Sequence, residues 1–189
     1  MIIKKADPHS IEITVQYLRE QKIVIVPTDT IYGFSGIVPG SAEAIIRAKG
    51  RDEGKPFIQL IGEPADLFQY TEDTIKPGLV ALWPGAVTII VKNKKEGTTA
   101  FRCPGDEWLR EVIRRLGCPV YSTSVNKAGK PALKTIGEIC AEFASIIDLI
   151  IDAGDQESAS ASTIIDATGN EYKIIRQGDL TVPPDLLRQ

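Results

Sequence analysis

The chain has 189 residues, 43% of them apolar and 25% charged, a globular composition that excludes a disordered or fibrous polypeptide and suffices for one domain over 1–189 without disulfide support. A formal charge of −3 excludes a protein that is basic overall, so any nucleic-acid contact would rest on a local patch. Cys103, Cys118 and Cys140 lie far apart without CxxC spacing, and no run is apolar enough for a secretion signal or a membrane span, which points to reduced thiols and a cytoplasmic protein.

In chain order, short runs rich in Ile and Val alternate with stretches of helical period, the pattern of an α/β domain. Ser10 is placed to cap a first helix running to Glu20, with Ile11, Val15 and Leu18 on one buried face. Ile23-Val24-Ile25-Val26 reads as a buried strand stopped by Pro27. A polar loop follows, and after Ser41 a second helix turns Ala44, Ile45 and Ala48 inward before the basic stretch from Lys49 to Pro56. Phe57 to Ile61 is a strand, Ala65 to Leu82 holds helical turns, and the runs from Val87 to Val91 and Thr98 to Cys103 can form a hairpin. Glu107 to Leu116 is amphipathic and ends at Gly117, a residue suited to the left-handed conformation that closes helices.

Val120-Tyr121-Ser122 is a further short strand. Thr135 and Glu138 have capping-box spacing and open a helix to about Phe143. Late strands cover Leu149 to Ile151, Thr163 to Ile165 and Tyr172 to Arg176, while the tail from Gly178 has no period and is expected to pack loosely or fray. Helix-linked strands beside turn-linked ones imply a mixed sheet.

No single motif announces a chemistry. His9 is the only histidine, which leaves no second imidazole for a metal site or a Ser-His pair. There is no GxxxxGK[ST] loop, and Gly33-Phe34-Ser35-Gly36 lacks the spacing of a dinucleotide fingerprint. Instead, several polar segments fall at the ends of expected strands and helices, where α/β sheets place ligands. Pro27 to Gly33 offers two hydroxyls, a carboxylate and a phenol, suited either to a small polar ligand or to a turn capping its own amides. Lys49, Arg51 and Lys55 crowd three cations into one loop; they suit a polyphosphate counter-ion, or a solvated helix end favoured by the macrodipole. Tyr121 to Pro131 brings hydroxyls, an amide and backbone donors able to wrap phosphate or ribose, and Ser162-Thr163 and Arg176 add hydroxyls and a cation.

The order of these segments resembles the YrdC family of threonylcarbamoyl-AMP synthases from about Ile11 to Gly178. The resemblance rests on VPTDTIYGF, Lys49-Gly50-Arg51 with Lys55-Pro56, Trp83 to Thr88, Phe101-Arg102-Cys103-Pro104, Ser124-Val125-Asn126 with Gly129 and Pro131, Ser162 to Asp166, and Arg176-Gln177-Gly178. It implies a single-domain form: a strongly twisted mixed β-sheet with flanking helices and a large positively charged concave face. The implied reaction joins ATP, L-threonine and bicarbonate, with Mg²⁺, into threonylcarbamoyl-adenylate for tRNA modification. Residue by residue, it places Lys49 and Arg51 on the nucleotide phosphates as the catalytic pair and Lys55 at the rim. Ser122, Ser124 and Asn126 fall by the α-phosphate and ribose, and Thr98 and Arg176 at further nucleotide contacts. Thr28, Arg102 and Ser162 fall at threonine contacts, and Thr30 and Tyr32 along the wall.

Implied partners are downstream tRNA threonylcarbamoyl-transfer proteins and a weak tRNA or double-stranded RNA contact, with no membrane. Val125, Asp106-Glu107, Leu60 and Ala132 depart from the usual pattern, which bears on threonine selectivity. Two other readings compete: a binding module for double-stranded RNA or tRNA, against which net acidity and the lack of aromatics beside the cations argue, and a divergent paralogue that hydrolyses or senses a related adenylate.

Overall fold

The computed structural model describes residues 1–50, 56–156, 160–178 and 180–188. Its strands are β1 (Ile2–Lys4), β2 (Val24–Val26), β3 (Gly33–Ile37), β4 (Ile58–Leu60), β5 (Val87–Lys92), β6 (Thr98–Arg102), β7 (Val120–Ser124), β8 (Leu149–Asp152), β9 (Thr163–Asp166) and β10 (Lys173–Arg176). Helices are α1 (Ser10–Arg19), α2 (Ala42–Lys49), α3 (Pro77–Val80), α4 (Glu107–Leu116) and α5 (Ile136–Phe143), with 3₁₀ turns over Pro64–Gln69 and Pro184–Leu187. All ten strands join one sheet in the order β1-β8-β2-β3-β7-β4-β6-β5-β9-β10. β1/β8, β8/β2, β4/β6 and β5/β9 run parallel and the other neighbours antiparallel, so the mixed sheet with flanking helices is as expected.

Local signals account for the elements that were expected. α4 is capped by Asp106, whose side chain accepts from the Leu109 amide, and Gly117 closes it at φ 79°. Both halves of the Thr135/Glu138 capping box form at α5. β5 and β6 pair antiparallel from Ile89↔Phe101 to Lys92↔Thr98.

Three expectations are corrected. Ser10 does not cap α1: it is the helix's first residue, its hydroxyl donates to the Lys5 carbonyl, and the Trp108 indole donates to it. Gly33 to Ile37, read as loop, is a strand held between β2 and β7. The tail is anchored rather than frayed, because Val182 is buried, Leu180, Leu186 and Leu187 pack on the core, and the Lys76 ammonium donates to the Asp185 and Arg188 carbonyls.

Alternation along the strands decides where the core sits and where the sheet stays open. Val87, Ile89 and Val91 of β5 share a buried face with Phe101, Cys103 and Ile165, covered by Leu67, Leu79, Trp83 and the tail. α1 and α4 bury Leu60 of β4 and Val120 of β7, while α2 and α5 pack Ile45, Ile139 and Phe143 against Ile25 and Phe34. Ser122 lies in register with Ser35, Ile58 and Ala100, two residues along from Val120 and Leu60. The helices thus cover one end of this face, and beyond them Ser122 and Ile58 border a hollow.

Candidate functional site

That hollow has a volume of about 380 Å³ and is bordered by Thr28, Thr30, Ile31, Tyr32, Gly33, Pro56, Ile58, Arg102, Ser122, Thr123, Ser124, Ala132, Ala161, Ser162, Ile164 and Arg176. Residues from the loop after β2, the ends of β6 and β7 and the edge strand β10 therefore converge although they span most of the sequence. Two glycines permit the close approach. A Cβ on Gly33 would come within 3.0 Å of Ser122 Oγ, and one on Gly178 within 2.2 Å of the Ala161 carbonyl oxygen.

One end of the hollow is built on arginine. Arg102 is 4% exposed. Its Nη2 donates to Asp29 Oδ1 at 2.6 Å, its Nη1 to Thr30 Oγ1 at 2.7 Å and its Nε to the Gly85 carbonyl at 3.0 Å. The loop hydroxyls are ordered by proton count, since each has one hydrogen to give. Thr28 Oγ1 donates to the Ile31 carbonyl and accepts from the Thr30 amide; the 2.8 Å contact between the two threonine hydroxyls therefore runs from Thr30 to Thr28. Gln156 braces the loop from outside by donating to the Thr28 carbonyl.

Across the same end, Arg176 donates from Nε and Nη2 to the Ser162 carbonyl and from Nη2 to Ser162 Oγ. The Ser162 hydroxyl also meets Thr88 Oγ1 at 2.8 Å. Burial first, and the charge of Arg102 second, hold the Arg176 guanidinium below the ordinary arginine range. Two like charges facing one hollow favour an anion between them.

The opposite end is built on lysine. Lys49, in the last turn of α2, is 5% exposed. Its ammonium donates to the Ser124 carbonyl, to Ser124 Oγ at 3.3 Å and to Asn126 Oδ1 at 2.6 Å, and lies 5.7 Å from the centre of the Phe34 ring. Ser124 Oγ gives its own proton to Asn126 Oδ1, and the Asn126 amide donates to the Lys127 and Lys130 carbonyls. Lys49 and Asn126 therefore stand one hydrogen bond behind the cavity wall, which Ser124 forms. Asn126 ties the 126–131 loop to the α2 terminus.

Of the residues singled out from the sequence, Thr28, Thr30, Tyr32, Arg102, Ser122, Ser124, Ser162 and Arg176 border the hollow. Lys49 and Asn126 lie behind it, and Arg51 and Lys55 fall outside the described residues. Thr98 is not brought in: it lies on the Arg102 face of β6, but four residues along a strand that rises ~3.3 Å per residue, so about 13 Å away. Tyr32 is fully buried, and its hydroxyl faces the core loop, donating to the Gly154 carbonyl and accepting from the Ala153 amide; burial raises its pKa. Sequence reasoning named Asp29 only as the carboxylate of the Pro27 to Gly33 segment and assigned no role to Thr88. Each is revealed by a partner more than seventy residues away, and only the TDT and WPGAVT matches pointed near them.

A family model described as Sua5/YciO/YrdC, Telomere recombination, matches residues 16–178. The putative threonylcarbamoyl-AMP synthase of Mycobacterium leprae is 28% identical over 195 residues, covering 94% of this chain and 88% of its own length. The threonylcarbamoyl-AMP synthase of Pyrococcus abyssi is 26% identical over 191 residues, covering 94% of this chain and 56% of its own, so the chain spans just over half of that relative. A crystal structure of P. abyssi Sua5 complexed with L-threonine superposes with a TM-score of 0.87 at 26% identity, over 95% of this chain and 58% of the other.

Proposed function

Because this chain belongs to the Sua5/YciO/YrdC family, we propose that it is a threonylcarbamoyl-AMP synthase using ATP, L-threonine and bicarbonate. The observation that carries this reading is the pair of guanidiniums, Arg102 and Arg176, facing one hollow whose other end is walled by Ser124 with the Lys49 charge behind it. The arginine end suits a carboxylate, with the Thr28, Thr30 and Ser162 hydroxyls placed to read a small polar side chain. The lysine end, with Ser122, Ser124 and the 126–131 loop, suits phosphate and ribose.

In this reading threonine and bicarbonate combine with loss of water to N-carboxythreonine. Its new carboxylate attacks the α-phosphorus of ATP, a P–O bond forms, and the bond to the leaving pyrophosphate breaks. No side chain is needed as nucleophile. The protein holds the two substrates end to end and offers fixed positive charge where negative charge shifts toward pyrophosphate. Lys49 supplies such a charge through the wall, and the resemblance assigns the phosphates to Arg51 of the K-x-R element as well. Mg²⁺ would neutralise the phosphates as their own counter-ion. Among the described residues that border the hollow none is a carboxylate, so phosphate oxygens and water would hold the ion, as is usual for Mg²⁺ on nucleotides. The labile product then passes to proteins that transfer the threonylcarbamoyl group to tRNA.

The test is pyrophosphate release from ATP with and without L-threonine and bicarbonate. Release that requires both is expected. Turnover independent of threonine, or salt-sensitive RNA binding without turnover, contradicts the reading.

A further inference from the structure

Ser162 borders the hollow, yet it is only 2% exposed, so its few partners decide what it offers a ligand. Its backbone is placed by others: the Thr163 amide donates to the Ala86 carbonyl at 2.9 Å, and Thr163 Oγ1 accepts from the Gly178 amide at 2.9 Å. What Thr88 adds is a proton. Because strand residues alternate, Thr88 turns away from the β5 face that buries Val87 and Ile89 in the core. It lies in register with Ile164, which also borders the hollow.

The 2.8 Å contact between Thr88 Oγ1 and Ser162 Oγ has one satisfactory direction. Thr88 is 0% exposed, and among the described residues Ser162 Oγ is the sole partner of its hydroxyl. A proton running from Ser162 to Thr88 leaves the Thr88 hydrogen buried without an acceptor, which folded proteins avoid because its desolvation is not compensated. The proton therefore runs from Thr88 to Ser162. Arg176 Nη2 donates to the same oxygen at 3.2 Å. A hydroxyl has two lone pairs and one hydrogen; with both lone pairs engaged, the Ser162 hydrogen is left for the hollow. Donors arriving at the oxygen also polarise its O–H bond and strengthen it as a donor.

We propose that Thr88 is a positioning residue that makes Ser162 a hydrogen-bond donor to an anionic oxygen of the substrate. Thr88 is not among the residues that border the hollow, so it acts only through Ser162. A carboxylate oxygen of the amino acid and a phosphoryl oxygen of the nucleotide share this chemistry. A substrate ammonium at the same place would meet a hydrogen instead of a lone pair, so the contact orients whatever binds. The inference rests on the synthase reading above only for the identity of the substrates.

The experiment is a double-mutant cycle on Thr88→Val and Ser162→Ala, with L-threonine and ATP affinities measured separately by calorimetry. Ser162→Ala is expected to weaken one of the two ligands about tenfold, the scale of a hydrogen bond to a charged group. Thr88→Val should weaken the same ligand about fivefold, the scale of a neutral hydrogen bond, and by less than about twofold once residue 162 is alanine. Thr88→Ser, which keeps the donor, should restore binding to within about twofold of wild type. Loss confined to L-threonine assigns the oxygen to its carboxylate, and loss confined to ATP assigns it to a phosphoryl group. Equal losses for both ligands, an equal effect of Thr88→Val in both Ser162 backgrounds, or no loss overturns the proposal. A wild-type protein that binds neither ligand overturns the synthase reading instead. A neutron structure of the wild-type protein in D₂O then decides the proton direction, as it does if Thr88→Val does not fold. It should show the Thr88 deuteron on the line to Ser162 Oγ and the Ser162 deuteron turned into the hollow; a Ser162 deuteron on the line to Thr88 overturns the proposal.

Discussion

The two ends of the hollow hold their cations differently. At the arginine end the guanidiniums border the open space, each fixed by acceptors that leave a face toward the cavity. At the lysine end the ammonium is turned onto Ser124 and Asn126, and the wall consists of a serine whose only proton is already given away. A preformed carboxylate site is cheap to occupy, since little must be reordered. At the lysine end a phosphate must instead exchange for an existing hydrogen bond, or be steadied by the Lys49 charge through Ser124. The contrast suggests that the amino-acid end reads identity, and that the lysine end responds to charge.

The largest expected effect comes from breaking the arginine end. Arg102→Ala should lower kcat/KM for threonine by about a hundredfold, corresponding to loss of a charge-assisted contact of roughly 3 kcal/mol. It should also lower the melting temperature, because the Asp29 carboxylate loses its partner. If KM for ATP moves more than that for threonine, the assignment of the ends is reversed. Lys49→Ala comes next, with about a tenfold drop in kcat/KM for ATP and a smaller change for threonine.

Sequence alone made half of this contrast legible. The cations and hydroxyls of both ends could be named because charged and β-edge polar residues stand out against Ile- and Val-rich runs, and capping signals at Thr135 and Gly117 fixed the helices. β3 was hidden because Gly33, Ser35 and Gly36 are turn-formers; they serve here as strand because β2 and β7 pair with them on both sides. Thr98 looked equivalent to its neighbours until the register of β6 put it beyond the hollow. Asp29 read equally as part of a ligand set or of a turn, since its guanidinium partner lies 73 positions on. The tail lacked period because it is anchored by a few side chains and carbonyls rather than by a helix face.

Two smaller effects sharpen the comparison. Ser35 lies beside Ser122 on the strip between the ends, and its hydroxyl is buried with no partner among the described residues. Ser35→Ala should leave denaturant stability within about 0.5 kcal/mol of wild type or raise it, since removing an unsatisfied hydroxyl forfeits no hydrogen bond; a clear loss would mean that a bound water links it to the cavity wall. Thr98→Ala should leave KM for both substrates within about twofold, and a larger rise in KM for ATP alone would extend the nucleotide along β6.

The most direct measurement is a crystal structure with L-threonine and a non-hydrolysable ATP analogue bound together. The threonine carboxylate is expected about 3 Å from the guanidinium of Arg102 or Arg176, with the α-phosphate against Ser122 and Ser124. A triphosphate seated between the two arginines, with threonine at the Lys49 end or absent from the hollow, contradicts the account.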